Sequence, residues 1–197
     1  MPRRSAGVLL HRAGAAGTEV LLGHLGGPFW ARRDEGAWSI PKGEHPEDEP
    51  AFDAARREFA EELGVPVPTD VLVPLGRLRA AGKLLTVWAA EGELPAGDLA
   101  AVGDRSSPFE LEWPPRSGRV RAFPEFDRAA WFSLAEARAK LSAGQVPFLD
   151  RLADLLAGRA QTPGDPAGND ERRNPDGSSG ARDERGRATS SGPRRPR

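Results

Sequence analysis

Apolar residues along this chain fall into short runs separated by turn residues: AGVLLHR (6–12), TEVLLGHL (18–25), AWSI (37–40), VLVPLGRL (71–78), KLLTVWAAE (83–91) and AAWF (129–132). Runs of that length, rich in Val, Leu and aromatics and bounded by Gly or Pro, predict strands. GAAG (14–17) predicts a hairpin between the first two.

A longer period governs two other stretches. From Asp48 to Leu63 the residues Phe52, Ala55, Phe59 and Leu63 recur at helical spacing, with Asp48 as the expected cap, Pro50 suited to a first turn and Gly64 as the stop. Nearer the C-terminus, Ser133 and Glu136 form a capping-box pattern, and VPFLDRLADLLAG (146–158) ends in glycine. Strands on both sides of a helix, followed by further helices, imply an α/β fold: an α/β/α sandwich around a mixed β-sheet.

At 197 residues the chain suits one domain with a real core. From Gly158 the composition turns to Gly, Pro, Ser, Arg and Asp with almost no large apolar residue, which cannot offset the entropy of ordering it. The expected division is therefore a domain over 1–157 and a disordered tail over 158–197. Arg in that tail is interleaved with Asp and Glu, and the whole chain sums to −1 from 28 basic and 29 acidic residues, so no field draws it to nucleic acid or an anionic membrane. The absence of cysteine removes disulfides, thiolate metal sites and cysteine nucleophiles. PRRSAGVLLHRAG after Met1 is too weakly apolar for a signal peptide or membrane span, so a soluble, cytoplasmic protein is expected.

The predicted first helix holds REFAEELG (57–64), which places Glu58, Glu61 and Glu62 at i, i+3 and i+4. A helix crowds them into roughly a 100° arc near its negative end. Each like-charge pair there costs an isolated helix about 0.2–0.5 kcal/mol. One reading is a solvated charged face. The other is a cation site: Mg²⁺ takes hard oxygen ligands and shares its shell with water and substrate phosphates. Gly43, in the loop PKGE, could add its carbonyl, and the small Ala51 and Ala54 leave room beside the acids.

The acids belong to a longer pattern. Gly43, five residues, Glu49, seven residues, then Arg57, Glu58, Phe59, Ala60, Glu61, Glu62, Leu63, Gly64 and Val65 resemble, position for position, the signature of the Nudix hydrolases. One departure is Phe59 in place of an aliphatic residue, which bears on packing rather than chemistry. The resemblance implies that Glu58, Glu61 and Glu62 bind Mg²⁺ or Mn²⁺, that Glu49 and Arg57 pair to fix the loop on the helix, and that a nucleoside diphosphate linked to another group is hydrolysed. Many relatives take their general base from a loop before a tryptophan-bearing strand, which here nominates Glu125, with Glu110 and Glu112 as rivals.

Lys42, Arg4 and Lys83 are candidate phosphate contacts, with Arg105, Arg116, Arg119 and Arg121 in the insert of about 103–124. Trp113, Phe109 or Phe123 can stack a base. The histidines His11, His24 and His45 lack metal-ligand spacing and receive no role. Substrate markers of the family are mostly missing: there is no tyrosine, the region where ADP-ribose enzymes carry proline reads RAAGK (79–83), and no cysteine serves an isomerase. SAGVLLHR and SIPKGE resemble the subgroup acting on nucleoside triphosphates and dinucleoside polyphosphates, which is the expected substrate class. The rival readings are a nucleotide-sensing module without turnover and an RNA-binding or decapping hydrolase.

Overall fold

The computed structural model describes residues 3–80 and 82–161; the expected tail lies outside them from residue 162. In chain order the main elements are β1 (Arg4–Gly14), β2 (Gly17–Leu25), β3 (Trp38–Ser39), β4 (Lys42–Glu44), α1 (Ala51–Leu63), β5 (Leu72–Ala80), β6 (Lys83–Glu91), α2 (Ala96–Ala100), α3 (Val102–Arg105), β7 (Pro108–Glu112), β8 (Val120–Pro124), β9 (Phe126–Ser133), α4 (Leu134–Lys140) and α5 (Pro147–Gln161).

Seven strands form one mixed sheet in the order β3-β2-β1-β6-β5, with β4 on β1 and β9 on β2. β1 lies parallel to β6 and antiparallel to β2 and β4. Every residue of β1 from Ser5 to His11 is buried, so its apolar run is continuous rather than alternating, as a strand covered on both faces requires. On one face Leu9, Val20, Leu22 and Val87 join Ala137 of α4, Leu141 just after it, and Phe148, Leu149 and Leu152 of α5. On the other, Val8, Leu10 and Leu21 join Ala54, Ala55, Phe59 and Leu63 of α1. Phe59 is fully buried, and truncating it to Ala would cost roughly 3–5 kcal/mol.

α1 departs from expectation at its start. Asp48 does not cap it; Pro50 occupies the N-cap position without a side-chain hydrogen bond, and its carbonyl accepts from Ala54 at 3.0 Å. Gly64 ends the helix at φ 72°, where a side chain would be strained, and its N–H reaches the Ala60 carbonyl at 2.9 Å. Phe52 is not part of the buried stripe. It is 38% exposed and packs edge-on against Trp88, while Ala54 takes the buried place. Ser133 and Glu136 form the capping box of α4. α5 runs through Gly158 to Gln161, beyond the expected start of the tail. The insert is a second sheet, the hairpin β7–β8, paired from Pro108↔Pro124 to Glu112↔Val120.

Candidate functional site

The three acids of α1 are not equivalent. Glu58 and Glu62, one turn apart, border the buried face and are 8% and 4% exposed, whereas the Glu61 side chain is 46% exposed. Burial pushes the Glu58 carboxyl upward, opposed by Arg57 and reinforced by the charges of Glu61 and Glu125. The same desolvation drives Glu62 well above the usual range, opposed by Lys42, whose backbone N–H donates to Glu62 Oε2 at 2.7 Å.

Arg57 is the counter-ion of the cluster. It donates to both Glu49 oxygens at 2.9 Å, and its Nη1 donates to Glu58 at 2.7 Å and to Glu61 at 2.9 Å. Those contacts raise the Arg57 pKa, with the Glu49 bonds contributing most, and hold the Glu49 carboxyl below its ordinary value. The repulsion expected from sequence is thus partly offset inside the helix, and a metal is not the acids' sole cationic partner. Among the described residues no three acidic or histidine side chains converge on one point as a ready metal cage. The donor set nevertheless suits a hard divalent cation: two buried carboxylates face a cleft, and a Cβ on Gly43 would overlap the Glu58 carboxylate, so glycine alone lets β4 lie against it.

That cleft has a volume of about 830 Å³. Its polar wall carries Lys42, Glu58, Glu61, Glu62, Lys83 and Glu125; its apolar wall carries Leu25, Trp30, Leu85, Phe109 and Phe126. Lys83 is paired with Glu44, which also accepts from Arg3 at 3.2 Å, and the Lys83 contact draws the Glu44 carboxyl down. Arg4 does not line the cleft; it bonds Glu47 at 2.7 Å.

Three backbone bonds set Glu125 in the wall. Ser107 N–H donates to the Glu61 carbonyl at 2.9 Å, Glu125 N–H to the Ser107 carbonyl at 2.9 Å, and Gly26 N–H to the Glu125 carbonyl at 2.8 Å. The insert is thereby stitched to α1 on one side and to β2 on the other. Glu110 and Glu112 lie on the hairpin away from the cleft lining, and Glu112 accepts from Gly118 N–H at 2.7 Å. Arg105 is engaged with Asp98, Trp113 packs edge-on against Phe29, and Phe109 is the insert aromatic that reaches the cleft. Arg116, Arg119 and Arg121 are exposed and outside its lining.

Sequence reasoning missed Trp30 and Gln145. Trp30 ends the stretch GGPFW (26–30), and Gly27 carries the signal: at φ 85° it brings that loop against Phe109. Gln145 lines the far end of the cleft and accepts from Ile40 N–H at 2.8 Å, which fixes the turn into β4; nothing in the sequence marked it.

A model of the NUDIX domain matches residues 1–152. No curated protein matches the chain. Among solved structures, a C. elegans Ap4A hydrolase binary complex is similar at 22% identity and TM-score 0.50, covering 79% of this chain and 98% of its own. A mutT/nudix family protein from Listeria innocua is similar at 19% and 0.50, covering 81% and 98%. The NUDIX domain of Shewanella oneidensis NrtR, complexed with ADP ribose, is similar at 17% and 0.54, covering 79% and 89%. At these identities the likeness speaks to the fold.

Proposed function

The chain belongs to the Nudix hydrolase family, and from that premise we propose that it is a Mg²⁺-dependent pyrophosphohydrolase acting on a nucleoside triphosphate or a dinucleoside polyphosphate. One observation carries the reading. Glu58 and Glu62 are buried beside Gly43 in a cleft whose other walls present lysines and aromatic rings. A buried carboxylate pair with no cation to bind would be a standing cost to the fold.

Glu58, Glu61, Glu62 and the Gly43 carbonyl would hold the cation, which when bound polarises a phosphoryl oxygen and acidifies a water. The chain's own groups supply the rest. Lys42 and Lys83 attract phosphate oxygens, Lys83 after giving up part of its hold on Glu44. Glu125 takes, through a carboxylate oxygen, the proton of the water that attacks phosphorus, while the bridging P–O bond of the anhydride breaks and its oxygen leaves on the departing phosphate. Trp30 and Phe109 offer flat apolar surface to a base. Arg57 keeps Glu49, Glu58 and Glu61 in place before substrate arrives.

The cleft volume falls within the range of small-molecule sites, roughly 300–1,000 Å³, which favours a nucleotide over a macromolecule. The deciding experiment is a phosphate-release screen over nucleoside triphosphates, dinucleoside polyphosphates and ADP-ribose, with and without Mg²⁺, and with product identification. Turnover confined to nucleoside diphosphate derivatives and abolished by chelator is expected. Binding of those nucleotides without turnover would overturn the reading in favour of a sensing module.

A further inference from the structure

His24 in β2 has no solvent exposure. Its Nδ1 lies 2.8 Å from Asp127 Oδ1 and its Nε2 lies 2.8 Å from the Arg33 carbonyl oxygen. A carboxylate and a carbonyl both accept, so the two contacts are both hydrogen bonds only when each ring nitrogen carries a hydrogen. The two acceptors lie behind different walls of the cleft, each close in sequence to a residue that lines it. Asp127 belongs to β9, beside Phe126 and two residues from Glu125; Arg33 belongs to the β2–β3 loop that carries Trp30. Within that loop Arg33 N–H donates to the Trp30 carbonyl at 2.8 Å, and the Arg33 guanidinium lies 5.5 Å from the Trp30 ring centre. Fixing the Arg33 backbone therefore fixes what backs Trp30.

We propose that His24 is a positioning residue whose ring, hydrogen-bonded on both sides, pins the Trp30 loop to β9 and so sets where Trp30 stands against the base of a nucleotide held in the cleft. The proposal rests on the reading of the cleft as a nucleotide site. The charged groups around the ring are Asp127 and Arg128 of β9, Arg33 and Asp34 of the loop, and Lys140 of α4, which bonds Asp34. Arg128 also donates to Asp127 Oδ1 at 3.1 Å, and the ring meets Trp38 edge-on at 5.1 Å. Losing either contact would leave the loop with one fastening fewer to β9.

The test compares the full chain with His24→Phe, which keeps a flat ring and removes both donors. Amide exchange across residues 27–36, measured without nucleotide, is expected to quicken by about tenfold or more, and KM for the best nucleotide to rise by a similar factor while kcat stays within about threefold. A folded His24→Phe protein with unchanged loop exchange and KM overturns the proposal. Should that variant not fold, Asp127→Ala, which removes the acceptor on β9, decides: unchanged exchange across residues 27–36 overturns the proposal. A protein that neither binds nor hydrolyses nucleotides defeats the functional reading, while loop exchange still judges the pin.

Discussion

Arg57 meets Glu49 through two parallel hydrogen bonds, Nε to Oε1 and Nη2 to Oε2, and so can hold Glu58 and Glu61 only through Nη1. The fork matches the planar geometry of a guanidinium and leaves no equivalent for an ammonium. Arg57→Lys should therefore loosen Glu49 first, and Arg57→Ala should strand the nearly buried Glu58 carboxylate beside two other acids. The expected loss is about 1–3 kcal/mol in chelator, read by denaturant unfolding, with part recovered on adding Mg²⁺. Unchanged stability would show that the guanidinium is not the counter-ion of the cluster.

The raised carboxyl of Glu62 fixes the sign of a pH dependence. A folded-state pKa above the unfolded one means that the folded protein binds the extra proton, so the contribution is complete below the unfolded value and is lost as pH rises through the folded one. Glu58 acts in the same direction, whereas Glu49 and Glu44, drawn down by Arg57 and Lys83, lose their contribution as pH falls. Glu62→Gln keeps an oxygen to accept the Lys42 N–H and removes the buried charge. Melting curves in chelator should show its advantage over the parent growing as pH rises above the ordinary carboxylate range. An advantage that shrinks over that rise would refute the assignment.

Much of the fold was legible because its signals are local. β1 is a continuous apolar run, Gly64 supplies a left-handed stop, and Ser133 with Glu136 writes its cap into four residues. The signature over residues 43–65 showed which acids lie on one helix, since i+3 and i+4 spacing is a property of the chain. It could not show that Glu62 is buried and Glu61 is not, because that depends on how β4 crosses α1. Nor could it show the hairpin β7–β8, where β7 alternates over only five residues and β8 opens with three exposed ones, or the stitch Glu61–Ser107–Glu125, which joins residues far apart in sequence.

That stitch carries a prediction about the general base. Glu125 is the insert-region acid that lines the cleft, and its charge bears on both Glu58 and Glu62. Glu125→Gln should lower kcat by about 10²- to 10⁴-fold with little change in KM, while Glu110→Gln and Glu112→Gln stay within about twofold. A larger effect at Glu110 would move the base to the hairpin.

The proposed tail can be tested by ending the chain after Gln161, the last residue of α5. Its composition lacks the apolar residues needed to dock, so turnover and melting temperature should be unchanged. A drop in either would assign residues 162–197 to the fold or the site.

Glu61 separates function from stability most cleanly. From sequence alone, removing one of three repelling acids near a helix C-terminus should leave the protein as stable as the parent or more so. The structure adds an opposing contact, the i,i+4 pair in which Arg57 donates to Glu61 at 2.9 Å. That pair is exposed on both sides, so it is worth only tenths of a kcal/mol, much the same as the repulsion it offsets. Glu61→Gln should therefore unfold within about 0.5 kcal/mol of the parent in chelator. Mg²⁺ should stabilise the variant less than the parent, because a ligand confined to the folded state stabilises it in proportion to its affinity. Turnover should fall by at least about a hundredfold if the cation supplies the nucleophile and the charge stabilisation. The measurements are paired unfolding curves with and without Mg²⁺ and the rate on the best substrate. A variant clearly destabilised without metal yet still active would make Glu61 a structural partner of Arg57 and remove it from the metal site.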